Sequence, residues 1–306
     1  MEAASIVLVG SSDPRYQAAA RAEPGMETFL ASFRDEFGGK LEPAAILHRS
    51  KRGLPAFEAV VSFRDLIVAA AVPLEQARLI AHDGAGLPGP AYSEGFDIYP
   101  WMPRQDGKSL VLQTPALLSW ARPDGFRGQS APGVPIVPFW QAHVDTPLLE
   151  VLIAEWNAEW RRRKHPSRNT WHARLFRSLQ MASRASRMPA VADTSEYDLG
   201  RSIALWISAF EILVHPGSGK VSIRNVLALL DRIEWREPAL RRRRLRGPGA
   251  KQREAVPTWI YRHLYDARNA FLHGNPLGRQ HTYFRNGQPI ARFAAPLYRM
   301  AVACLL

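Results

Sequence analysis

A chain of 306 residues, 46% apolar and 22% charged, has the composition of a globular protein and the length of about two ordinary domains. Its longest apolar run, 66–72, is too short to span a bilayer. The first residues lack the basic start of a secretory signal, and a single cysteine, Cys304, rules out an intrachain disulfide. The expectation is a cytoplasmic protein with no membrane segment.

Net charge is +12, unevenly placed. Residues 1–150 carry 13 basic and 17 acidic side chains, net −4, whereas 151–306 carry 27 and 11, net +16. All the excess positive charge therefore lies in the second half, which points to a polyanion partner for that half. Arginine outnumbers lysine 34 to 6. That bias suits bidentate phosphate contacts, and it equally fits an arginine-rich proteome with no functional content.

In chain order, 5–9 reads as a strand, 26–37 as a helix, and 57–72 as an apolar helical stretch followed by a second over 74–80. The strand runs into Gly10-Ser11-Ser12 but lacks the lysine and further glycines of a phosphate loop, so it reads as a strand ending in a turn. Over 83–138, closely spaced Gly and Pro separate apolar bursts, the pattern of short strands and ordered loops. From 145 onward the chain is helical almost throughout. Thr146-Pro147 opens a helix to about 164, and further helices are expected at 170–187, 196–214, 221–234, 236–245, 256–273 and 293–304. The fold class is thus α+β overall and mostly α, with a mixed α/β domain over 1–140 and an all-α bundle over 145–306.

Two of these helices carry chemistry. At about 100° per residue, Ile260, Leu264, Ala267 and Phe271 form one tight stripe that faces a core. Arg262, Asp266, Asn269 and His273 form the opposite polar stripe, and Arg268 sits on its flank, about 140° from His273. Gly274 follows as a natural cap, so His273 projects from a helix C-terminus, where the dipole favours the imidazolium. The helix 201–214 is apolar on nearly every side, the pattern of a bundle centre. Glu211 is the odd residue in it, a carboxylate that is costly there unless paired or protonated. It reads equally as an arginine's structural partner and as a functional group.

With 34 arginines and 9 histidines in 306 residues, about one Arg-x4-His pair is expected from composition alone. The spacing acquires meaning only from its helical setting. Ala204-Leu-Trp-Ile-Ser-Ala-Phe-Glu211-Ile-Leu, followed some fifty residues later by Tyr265-Asp-Ala-Arg268-Asn269-Ala-Phe-Leu-His273-Gly274, resembles the HEPN superfamily, especially its Apea-like branch. The resemblance covers about half the chain and implies a HEPN-like bundle of four or five helices over 145–306. Members carry an R-x4-6-H motif, often with asparagine after the arginine, and many are metal-independent endoribonucleases built as dimers around a composite cleft. It further implies a setting in toxin–antitoxin or anti-phage defence, with an antitoxin or regulatory partner.

The residues fit such chemistry. RNA brings its own nucleophile, the 2′-hydroxyl, so cleavage needs a base, an acid and positive charge on the phosphorane, and no metal or cofactor. His273 supplies proton transfer, Arg268 a fork of donors for the equatorial oxygens, and Asn269 orientation. Glu211, Asp266 and Tyr265 are supporting candidates. Arg262 and the run Arg241, Arg242, Arg243 and Arg244 are candidate RNA contacts, with a solvated basic loop as the alternative. Tyr261 and Tyr265 border the polar face, where a base can stack. One histidine serves poorly as acid and base at once, which favours a homodimer. The alternative reading is a catalytically inactive RNA- or nucleotide-binding or scaffold bundle, in which Arg268 pairs with Glu211 or a helix end and His273 merely caps its helix. Zinc, serine-hydrolase and thiol chemistries lack their motifs.

Overall fold

The computed structural model of the chain describes residues 6–34, 39–48, 57–81, 92–99, 101–103, 110–114, 117–120, 143–162, 170–187, 195–241, 243–245 and 253–306. They belong to two compact units, Met1–Val61 with Glu94–Val134, and Ser62–Ser93 with Pro135–Leu306.

In the first unit, strand β1 (Ile6–Val9) pairs antiparallel with β2 (Ala45–His48), Ile6 opposite His48 and Val9 opposite Ala45. β1 ends in the expected turn, where the Asp13 N–H donates to the Gly10 carbonyl at 3.1 Å. That turn starts a helix missing from the sequence expectations, α1 (Pro14–Ala22). Asp13 caps it by accepting from the Arg15 N–H at 2.8 Å, and Pro14 occupies its first turn. Of the helix expected over 26–37, α2 covers Met26–Leu30 and 31–34 are not helical, while 35–37 lie outside the described residues. The Ser32 hydroxyl donates to the Phe29 carbonyl at 2.6 Å, a local bond that competes with further helix. Phe29 and Phe33 pack edge to face with Tyr99, and Phe29 also meets Trp101. Short strands β3 (Trp101–Pro103), β4 (Leu110–Thr114) and β5 (Leu117–Trp120) form an antiparallel meander with an irregularity between Leu112 and Thr114. The unit is thus the expected mixed α/β region, with small sheets.

The second unit begins inside helix α3 (Phe57–Ala81). Its two predicted halves are one helix that runs through Pro73. Phe63, Leu66, Val68, Ala70 and Val72 are all buried, and burial on every side outweighs the local cost of proline. The Ala70 carbonyl, in the turn that proline loosens, accepts from the Asp145 N–H at 2.9 Å. Asp145 then caps α4 (Thr146–Arg162), its Oδ1 accepting from the Leu148 N–H at 3.3 Å, and its Oδ2 accepts from Arg299 Nε at 2.7 Å. One aspartate so ties α3, α4 and the C-terminal helix. Trp156 of α4 is buried on Phe63 and donates to Ser62 Oγ at 3.0 Å. Residues 62–81 therefore belong with the helices, whereas the sequence reading placed them in a domain ending at 140.

Helices α5 (Trp171–Ala185) and α6 (Glu196–Leu213) pack together, capped by Thr170 and by a Ser195/Asp198 capping box. The chain continues through α7 (Ile223–Arg232) to a short α8 (Pro238–Arg241). The helix expected over 236–245 stops there. Strand β6 (Arg243–Leu245) pairs with β7 (Arg253–Ala255) in its place, a pairing that the local sequence does not report. Helix α9 (Val256–Leu272) follows β7 directly, then α10 (Arg279–Thr282) and α11 (Ala294–Leu305). α6 packs on α5, α9 and α11. Phe210 meets both Tyr261 and Tyr298 edge to face, and the Tyr298 hydroxyl shares a 2.5 Å hydrogen bond with Ser178. The bundle centre expected at 201–214 is real for Ile203, Trp206, Ile207, Phe210 and Leu213, while Ala204, Leu205, Ser208 and Glu211 stay partly exposed along one edge. Among the described residues no helix is long and apolar enough to cross a membrane.

Candidate functional site

The site is built where α9 ends beside α6. Pro257 starts α9 with fixed φ, and its buried face is Pro257, Tyr261, Leu264, Ala267 and Ala270. The core stripe is rotated from the predicted one. Ile260 and Phe271 are only half-buried, and Tyr261, expected on the polar border, is fully buried and cannot stack on a base. The rotation follows from Phe210, which offers Tyr261 an aromatic partner at 5.1 Å.

The C-terminus is a Schellman motif. The Asn275 N–H donates to the Ala270 carbonyl at 2.9 Å and the Gly274 N–H to the Phe271 carbonyl at 3.1 Å, with Gly274 at φ +72°. His273 is the C-cap residue and its side chain is exposed. Asn269 links the motif's two ends. Its Oδ1 accepts from an Arg268 guanidinium nitrogen at 3.0 Å, and its carbonyl accepts from the His273 N–H at 3.0 Å. The Arg268 guanidinium carbon also lies 5.8 Å from the Tyr265 ring centre.

Arg268 faces α6 as well. Burial pushes the Glu211 carboxyl above its ordinary value, and the Arg268 charge opposes that shift. Tyr261 holds its proton well above the usual phenol range, chiefly through burial and secondarily through the Glu211 charge. Its hydroxyl is buried with no hydrogen-bond partner among the described residues. Glu211, Tyr261, Tyr265, Arg268 and Asn269 are thus one coupled cluster, and His273 stands beyond it at the exposed helix end.

The other predicted residues are dispersed. Asp266 is half-buried on α9. Arg262 is paired with Glu254 of β7, which ties the helix to the hairpin and occupies a cation assigned to RNA. Exposed Arg241 donates to the Trp235 carbonyl at 2.6 Å. Arg243 and Arg244 lie in β6 opposite Ala255 and Glu254; their side chains, and the whole of Arg242, fall outside the described residues. No group of three or more His, Cys, Asp or Glu side chains among the described residues is arranged to hold a metal ion.

Comparison of the chain with protein-family models, with curated proteins and with solved structures finds no match.

Sequence reading missed the groove beside the cluster. It measures about 450 Å³ and is lined by Tyr197, Asp198, Arg201, Ala204, Leu205 and Ser208 of α6 and by Arg268, Phe271 and Leu272 of α9. Tyr197 and Leu272 at its edge are 71% and 54% exposed. Gly200 creates the close approach, because a Cβ there would lie 2.3 Å from the Phe271 ring. A glycine inside an apolar helix was the visible signal, and it points to close packing.

Proposed function

We propose that the second unit is a metal-independent endoribonuclease of HEPN type that works as a homodimer. The observation that carries this reading is that a guanidinium held by the Asn269 side chain, Arg268, and an exposed imidazole at the helix C-cap, His273, lie on the last turns of one helix. In the reaction the 2′-oxygen bonds to phosphorus as its proton passes to a base, and the bond to the 5′-oxygen breaks as that oxygen takes a proton from an acid. The products are a 2′,3′-cyclic phosphate and a 5′-hydroxyl. His273 of each copy supplies one proton-transfer group and Arg268 stabilises the charged phosphorane. The family resemblance adds the setting, toxin–antitoxin or anti-phage defence, with the first unit sensing a trigger or holding the nuclease in check.

Labelled RNA incubated with the purified chain and EDTA is cut to cyclic-phosphate ends. His273→Ala and Arg268→Ala each lower that cleavage by about 100-fold or more, with unchanged circular dichroism. Cleavage like the parent's in both variants overturns the proposal. One observation favours a second reading: Arg268 is held by Asn269 within the field of Glu211, and the His273 main chain serves the helix cap. On that reading the unit is an inactive RNA- or nucleotide-binding scaffold, and RNA retained but uncut selects it.

A further inference from the structure

The α6–α9 groove combines features that rarely share one surface patch. Its walls are apolar, from Ala204, Leu205, Phe271 and Leu272, with the exposed Tyr197 ring at one edge. Two guanidinium groups, Arg201 and Arg268, line it together with one carboxylate, Asp198. Asp198 closes the capping box with Ser195 and lies 3.2 Å from Arg201, whose side chain is 61% exposed, so the pair leaves Arg201 room to turn toward a ligand while Asp198 stays in the cap. The half of the chain that holds the groove has a net charge of +16. Its occupant must therefore be flat and apolar on one part and anionic on another.

A volume of about 450 Å³ lies within the range of small-ligand sites, roughly 300–1,000 Å³. Single-stranded RNA is recognised by unstacked bases that lie against aromatic rings and arginine planes, with the backbone phosphate held by cations. We infer that the groove seats one unstacked nucleotide of single-stranded RNA, its base against Tyr197, Leu205 and Phe271 and its phosphate on Arg268 and Arg201. Arg268 belongs both to this groove and to the coupled cluster, so the seated nucleotide adjoins the phosphate to be cut. A duplex, whose bases are stacked and paired, offers nothing to the apolar wall. The inference rests on the ribonuclease reading and adds how the substrate is held.

The test uses the full chain carrying His273→Ala, which leaves RNA intact. Its affinity is measured by fluorescence anisotropy for a short labelled oligoadenylate, for the same oligomer with abasic sites, and for a duplex of equal length. Tyr197 is largely exposed, so Tyr197→Ala leaves the fold unchanged. It weakens oligoadenylate binding about fivefold or more and leaves the abasic oligomer unaffected; Leu272→Ser acts in the same direction. Equal losses for both oligomers, or none, overturn the groove as a base site while the ribonuclease reading stands on its cleavage assay. If Tyr197→Ala instead converts a dimer to a monomer in sedimentation, a second copy fills the groove and the inference fails. If the chain neither binds nor cuts any RNA, groove and ribonuclease fall together.

Discussion

Asn269 shows how one residue organises a site by using two different oxygens. Its side-chain oxygen holds the Arg268 guanidinium, while its carbonyl takes part in the ordinary helical bond to the His273 N–H, so arginine and histidine are set by one helix end although they leave it in different directions. That division was legible in the sequence, because helical periodicity alone separates Arg268 from His273 by about 140°. The burial of Tyr261 was not, since it depends on Phe210 arriving from another helix. Glu211 makes the cluster sensitive to pH. Burial holds its proton more tightly in the folded chain than in the unfolded one, where the carboxyl titrates near 4.5. Its contribution to stability is therefore complete below about pH 4.5 and is lost as pH rises through the raised folded value. Glu211→Gln cannot ionise, so it loses less stability than the parent between pH 4.5 and 7. Urea midpoints at the two pH values measure this, and equal losses in both proteins show that Glu211 does not titrate differently on folding.

At the scale of elements, α3 teaches most. Apolar periodicity made both halves visible, and Pro73 argued for a break. The helix continues because 62–73 are buried all round by tertiary packing, which local propensity cannot report. The same helix buries Arg64 and Asp65, paired at 2.7 Å, and burial pushes the Asp65 carboxyl up against the opposing charge of Arg64. Asp65→Asn leaves the guanidinium uncompensated and costs about 3–5 kcal/mol, whereas Arg64→Met combined with Asp65→Leu recovers most of that loss. Denaturation of both variants measures it; a double variant as unstable as the single one means the pair does not act as a unit. The β6–β7 hairpin was illegible for a different reason. A basic run followed by Gly and Pro is compatible with a helix end, a loop or a hairpin, and only pairing with 253–255 decides.

At the scale of the molecule, the mostly helical class and the mixed N-terminal region were readable from composition and period, and the helical partition was not. Apolar stretches do not announce which unit they will join, so 62–81 went with their sequence neighbours. A fragment spanning 145–306 accordingly lacks the helix that covers Trp156 and meets Asp145. Expressed alone, it melts well below the full chain or aggregates, while 57–81 supplied as a separate peptide raises its melting temperature. A fragment as stable as the parent, checked by thermal denaturation, removes α3 from the helical core.

The chain passes between its two units three times, at 61/62, 93/94 and 134/135. During synthesis α3 leaves the ribosome long before α11, the last helix that shares Asp145 with it. At roughly 5–20 residues per second, that interval is on the order of ten seconds or more. Until α4 is made, the buried face of α3 lacks Trp156, and until α11 is made Asp145 lacks Arg299. The last tie between α3 and the helical unit therefore closes only when the C-terminal helix has been made.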